Sequence, residues 1–175
     1  MIYTENKFIS IIKNRISCRS YTSQKVSLSK VKLITECGMM APSGKNRQIA
    51  NILVVRDKKQ VEKLRSLSLQ HLERDCFYGA NTFILVYAPR EDKFCIQDST
   101  CILENMFIAA TALKINSCWI NQVDDLFNTK EGQKIKKSWK IPENSMIVGT
   151  CIIGYCAEPE KLITKKRKED FVKIL

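Results

Sequence analysis

Met39-Met40-Ala41-Pro42-Ser43-Gly44-Lys45-Asn46-Arg47-Gln48 stands where a helix has to stop and a strand has to begin. Before it, Leu28, Val31, Ile34 and Gly38 recur at helical spacing; after it, Ile52-Leu53-Val54-Val55 is a β-branched apolar run of strand length. Pro42 cannot continue the helix, and Gly44 can take a positive φ or let another group come close to the backbone. Ser43, Lys45, Asn46, Arg47 and Gln48 crowd side-chain donors into one connection. Taken alone, such a stretch is either a solvated loop or a ligand loop, and its neighbours have to decide.

The neighbour that matters lies upstream. A first helix, with Thr4 as its cap and Phe8, Ile11 and Ile12 on its apolar side, is expected to run out near Asn14. Then comes Arg15-Ile16-Ser17-Cys18-Arg19-Ser20-Tyr21. In an extended segment Arg15, Ser17 and Arg19 point the same way. Two guanidiniums and a hydroxyl on one side make a clamp for a phosphate, because the planar fork donates in pairs and stays charged.

The composition is that of a globular protein. A chain of 175 residues, 45% apolar, fits one domain spanning 1–175. No apolar run approaches the ~20 residues that cross a bilayer. Glu5, Asn6 and Lys7 interrupt the N-terminus, so no signal peptide is expected and the cytoplasm is the default location. Eight cysteines occur without any CxxC pair, and Cys18, Cys101, Cys118 and Cys151 sit in apolar stretches. They read as small buried hydrophobes in a reducing compartment, with no metal site expected. The net charge of +11 suits an anionic partner. Nucleic acid is disfavoured because the one aromatic within Lys134-Lys136-Lys137-Lys140, Trp139, reads as core, and Lys165-Lys166-Arg167-Lys168 contains none, so neither cluster offers a base-stacking surface.

The rest reads mainly as scaffold. Val61, Leu64 and Leu67 mark an amphipathic helix that can extend through Leu72, with His71, the one histidine, at the surface. Gly79-Ala80-Asn81 turns into Phe83-Ile84-Leu85-Val86-Tyr87, a central strand ended by Pro89. A helix from Asp98 to Leu113 is apolar over nearly its whole circumference, so part of it is expected to meet another subunit; its Glu104 and Asn105 read as satisfied structural polar groups. Asn128 with Glu131 looks like a capping box for a short basic helix carrying Ile135 and a core Trp139. Met146-Ile147-Val148-Gly149-Thr150-Cys151-Ile152-Ile153 is a second buried strand, in which Gly149 marks a bulge or a close neighbour. A nucleotide-triphosphate loop at Gly44-Lys45 is excluded: Gly38 and Gly44 enclose five residues where four are needed, Asn46 follows the lysine, and the order is helix to strand. No GxGxxG occurs either.

Together these pieces resemble the FMN-dependent nitroreductase family. Its N-terminal signature is Arg-x-Ser-x-Arg/Lys-x-aromatic, followed by a helix and a Pro-Ser-Ser/Gly-x-Asn-x-Gln loop. Ser117-Cys118-Trp119-Ile120 resembles the segment beside the flavin, Ile153-Gly154-Tyr155 the late strand, and Lys165-Lys166-Arg167-Lys168 the basic segment returning to the flavin phosphate. The resemblance implies an α+β fold with a central, mostly antiparallel sheet flanked by helices. It also implies an intertwined homodimer with FMN in a cleft built from both chains, and an apolar C-terminal tail crossing the partner to add a strand.

By resemblance, Arg15, Ser17, Arg19, Lys165 and Arg167 take the FMN phosphate, Arg19 alternatively the pyrimidine edge of the ring. Pro42, Ser43, Gly44 and Asn46 approach the ring from the partner, and a backbone N–H near Asn121 or Gln122 faces flavin N5. No protein side chain is expected to act as catalyst, since the flavin carries the hydride. NAD(P)H would reduce the flavin, and a nitroaromatic, quinone or free flavin would reoxidise it in ping-pong fashion. The chain departs from the family pattern at Ile49 and Ala50 after the loop, at Asn121 after Trp-Ile, and at Cys156 after Gly-Tyr. These changes bear on the shape above the ring. The chain is also expected to lack the helical insertion that roofs the pocket in longer relatives. The alternatives are a flavin-binding or redox-sensing protein without turnover, a dehalogenase or flavin-cleaving enzyme of the same fold, and a charge-driven nucleic-acid binder.

Overall fold

The run Phe83-Ile84-Leu85-Val86 forms the middle of a strand, Thr82–Pro89, with side chains buried on both faces, as a central strand requires. In the computed structural model, which describes residues 6–163 and 166–174, this strand lies inside a four-stranded antiparallel sheet. In chain order the strands are β1 (Asn51–Val55), β2 (Thr82–Pro89), β3 (Asn116–Ile120) and β4 (Ser145–Gly154); their spatial order is β1-β2-β4-β3.

The two-residue period of β2 feeds two cores. Phe83 and Leu85 pack with Leu64, Phe77, Leu126, Phe127 and Ile135 on one face, and Phe83 stacks on Phe77 with ring centroids 4.4 Å apart. Ile84 and Val86 pack with Ile34, Leu103, Met106 and Phe107 on the other. The first face is therefore covered by α3 (Lys58–Leu72), α5 (Val123–Phe127) and α6 (Lys130–Ser138), the second by α2 (Leu28–Met39) and α4 (Cys95–Ala112).

Gly149 answers to both expectations. Val86 pairs with Gly149 but Tyr87 with Ile147, so the register slips by one residue there. A Cβ on Gly149 would also lie 2.6 Å from Trp119 Nε1.

Several boundaries differ from the sequence-based expectation. The long helix begins at Cys95 rather than Asp98, because Asp92 organises its approach: Phe94 N donates to Asp92 Oδ1 at 2.9 Å and Cys95 N to the Asp92 carbonyl at 2.9 Å. The basic helix is capped by Thr129, whose hydroxyl accepts from Gly132 N at 3.0 Å, while Asn128 closes the preceding helix. The first helix, α1 (Lys7–Lys13), is capped by Asn6, which accepts from Phe8 N at 2.9 Å; Thr4 lies outside the described residues. Its apolar side is only partly covered in the single chain: Ile11 is half-buried, whereas Ile12 is exposed and Phe8 is 74% exposed.

Other expectations are met or sharpened. Trp139 packs on the core and donates to Gln60 Oε1 at 2.9 Å. His71 is at the surface, 3.8 Å from Glu131. Asn105 donates to the Cys37 carbonyl at 3.1 Å, tying α4 to the end of α2. Cys18, Cys118 and Cys151 are buried, whereas Cys101 is half-buried and Cys37 exposed. Among the described residues, no helix is long and apolar enough to cross a membrane.

Candidate functional site

The segment after α1 is extended because it borrows the free edge of β3: Ser17 bridges Ser117 in parallel, and Cys18 N donates to the Ser117 carbonyl at 2.9 Å. Tyr21 then bridges Cys156, so residues 15–21 lie along β3 and the exit of β4. The alternation sends Cys18 into the core and leaves Arg15, Ser17 and Arg19 on a cavity of about 420 Å³. Lys161 and Arg167 complete its charged lining.

Four cations and a hydroxyl thus converge, and among the described residues no carboxylate lines the cavity. Arg15 Nε is 4.0 Å from Glu104 and Lys161 pairs with Glu158, which holds both side chains without filling the cavity with negative charge. Burial pushes the Cys118 thiol up, while the neighbouring Arg19, Ser17 and Arg15 pull it back down. This donor set suits a phosphate monoester, a dianion with three acceptor oxygens. Lys161 was not expected: it follows Pro159-Glu160 in a short 3-10 turn, Pro159–Lys161, outside the obvious basic run. Lys165 lies outside the described residues.

The Pro42–Gln48 loop is a second feature, and its geometry is unusual. Lys45, Asn46 and Gln48 all have positive φ, at 55°, 53° and 49°. Gly44 does not take the left-handed conformation; its role is close approach, since a Cβ there would lie 2.5 Å from the Phe94 ring. Ser43 Oγ accepts from Gln48 N at 3.1 Å, Gln48 Nε2 donates to Asn46 Oδ1 at 2.9 Å, and Gly44 N donates to Asp98 Oδ1 at 2.9 Å. Arg47 pairs with Asp92. Non-glycine residues held in this region cost about 1–3 kcal/mol each and persist only where surroundings enforce them.

Pro42 and Ser43 line a cavity of about 410 Å³ together with Gln48, Ala50, Asp98 and Ile102. This cavity shares no residue with the cationic one. A single chain therefore brings Arg15, Ser17, Arg19 and Arg167 together but does not add Pro42, Ser43, Gly44 or Asn46 to them. Asn121 and Gln122 lie in the turn between β3 and α5, with Gln122 Oε1 accepting from Arg74 at 2.8 Å; neither lines the cationic cavity.

The family model described as the nitroreductase family matches residues 12–75 and 67–155. A nitroreductase with bound FMN from Bacteroides fragilis is 30% identical, with a TM-score of 0.89 over 97% of this chain and 99% of its own. A nitroreductase with bound FMN from Desulfitobacterium hafniense, 22% identical, shares the fold at a TM-score of 0.88, covering 97% of this chain and 98% of its own. A protein of Archaeoglobus fulgidus, provisionally named an NADH dehydrogenase/NAD(P)H nitroreductase, is 29% identical over 153 residues, 84% of each chain.

Proposed function

Because the chain belongs to the nitroreductase family, we propose that it is an FMN-dependent oxidoreductase that moves hydride from NAD(P)H to a small-molecule acceptor such as a nitroaromatic, a quinone or a free flavin. The observation that carries this reading is the cationic cavity on the edge of β3. Arg15, Ser17, Arg19, Lys161 and Arg167 would hold the FMN phosphate there, and Lys165 is assigned to the same group by its place in the sequence. Arg19 can alternatively reach the pyrimidine edge. FMN supplies the hydride-accepting and hydride-donating centre when bound.

The protein's part is to bind, orient and shield. The turn at Asn121 and Gln122 follows β3 directly, so a backbone N–H there would face the redox centre of a cofactor anchored at Ser17. Pro42, Ser43, Gly44 and Asn46 would come from a second copy of the chain, which accounts for the two cavities being separate in one chain. Donor and acceptor would use the same opening in turn, in ping-pong order. β2 ends at Pro89 and α4 begins at Cys95, a connection too short for a roofing helix, so the opening would admit acceptors of varied shape. The cytoplasm, where thiols stay reduced and NAD(P)H is present, is the compartment that fits this role.

The test is the visible spectrum of the protein after FMN is added and excess removed, before and after anaerobic NADH or NADPH. A flavin spectrum that bleaches supports the reading. Bound flavin that neither nicotinamide reduces points to a binding or sensing role, and failure to retain FMN overturns the proposal. Arg19→Ala is expected to weaken FMN binding about tenfold or more, through loss of a charge-assisted pair.

A further inference from the structure

Asp98 is 5% exposed, sits in the first turns of α4, and has an unusual pair of environments. Its Oδ1 accepts from Gly44 N at 2.9 Å, while its Oδ2 has no hydrogen-bond partner among the described residues, and the residue lines the cavity beside Pro42, Ser43 and Gln48. A buried carboxylate is costly unless its oxygens are engaged, and the positive end of α4 offsets only part of that cost. A carboxylate placed here solely to stabilise α4 would not need to reach a loop 54 positions away in sequence.

What that reach does is visible in the loop. Gly44 is pinned between the Asp98 carboxylate and the face of Phe94, and the left-handed run Lys45-Asn46 begins at the next residue. Phe94 and Asp98 belong to one rigid unit, since Asp98 N donates to the Phe94 carbonyl at 2.9 Å. Three left-handed non-glycine residues within four positions need an external hold. The Arg47–Asp92 pair, with Arg47 half-exposed, is a weaker tie than a bond to a buried carboxylate.

We propose that Asp98 is the positioning residue of the Pro42–Gln48 loop: by fixing Gly44 N it sets the left-handed shape in which the loop meets the flavin. The flavin part of this inference rests on the FMN reading above, whereas the hold on the loop does not. Two variants separate chemistry from bulk. Asp98→Asn keeps an acceptor for Gly44 N; Asp98→Ala removes it.

Hydrogen exchange of the full-length protein without added flavin, read by mass spectrometry, tests the hold. The expected result is exchange in the loop about tenfold faster or more in Asp98→Ala, near wild type in Asp98→Asn, and unchanged through the later turns of α4 in both. FMN titration then reads the consequence: about tenfold weaker binding and a shifted visible band for Asp98→Ala, with most of the affinity restored by Asp98→Asn. Loop exchange that does not respond to Asp98→Ala overturns the proposal, as does unchanged FMN affinity and spectrum in that variant. A wild-type protein that takes up no FMN, with loop exchange behaving as expected, overturns the flavin reading and leaves the positioning role standing.

Discussion

Cys18 sits between the two residues that most define the cationic cavity, yet its thiol is the opposite of reactive. Desolvation by burial pushes it up to about 12 from an ordinary 9.0, and burial likewise raises Cys76, Cys95, Cys118, Cys151 and the Tyr21 phenol. These groups hold their protons more tightly folded than unfolded. Their contribution to stability is therefore complete below the unfolded values, near 9 for the thiols and 10 for the phenol, and is lost as pH climbs through the folded values, toward about 12 for Cys18. Lys136 works the other way: burial lowers its ammonium, held by the Glu143 and Ser145 carbonyls at 2.7 and 2.6 Å, so raising the pH relieves its charge. With one lysine opposing several thiols and a phenol, urea-unfolding midpoints are expected to fall between about pH 9 and pH 12. A midpoint that rises over that interval would show that Lys136 outweighs the thiols and the phenol.

At the scale of elements, the contact between α5 and α6 depends on one missing side chain. A Cβ on Gly132 would lie 2.0 Å from the Leu126 carbonyl oxygen and 2.6 Å from the Phe127 Cα, both backbone atoms that cannot rotate away. Gly132→Ala is expected to destabilise the protein by about 2 kcal/mol or more, although alanine in a helix ordinarily gains about 1 kcal/mol over glycine. Gly38→Ala meets the flexible Met106 side chain at 2.8 Å instead and should cost clearly less in the same thermal-unfolding measurement. Packing of this kind is not visible in a sequence, and neither is the choice between neighbouring caps. Asn128 and Thr129 both carry acceptors, and only the close approach of α6 to α5 selects Thr129. The elements themselves were legible because their signals are local: the period of Leu28, Val31 and Ile34, the unbroken run from Phe83 to Val86, and Pro42 as a stop. The cationic cavity was legible in part, since Arg15, Ser17 and Arg19 share a strand face, while Lys161 and Asp98 reach their places only through tertiary contacts.

At the scale of the whole molecule, apolar surface is left over in one chain. Among the described residues α1 buries none of its own, Met39 and Met40 flank the loop exposed, and the tail carries Phe171, Val172 and Ile174, the last 90% exposed. Among the described residues β1 pairs only with β2, leaving a backbone edge free beside the cavity that Ala50, Asn51, Ile52 and Val54 line. Scattered exposed apolar side chains would need no explanation, but a helix, a tail and a sheet edge together are what a subunit interface requires. On the proposed homodimer the two cavities become halves of one cleft, the cations from one copy and the loop from the other, so assembly and cofactor binding must fail together. Light scattering on the purified protein is expected to give the mass of two chains. Phe171→Asp combined with Ile174→Asp, neither of which lines the cationic cavity, should shift that mass toward one chain and weaken FMN binding in parallel. If the doubly substituted chain becomes monomeric yet holds FMN as tightly as before, the cleft is complete within one copy, and the loop must serve something other than the flavin.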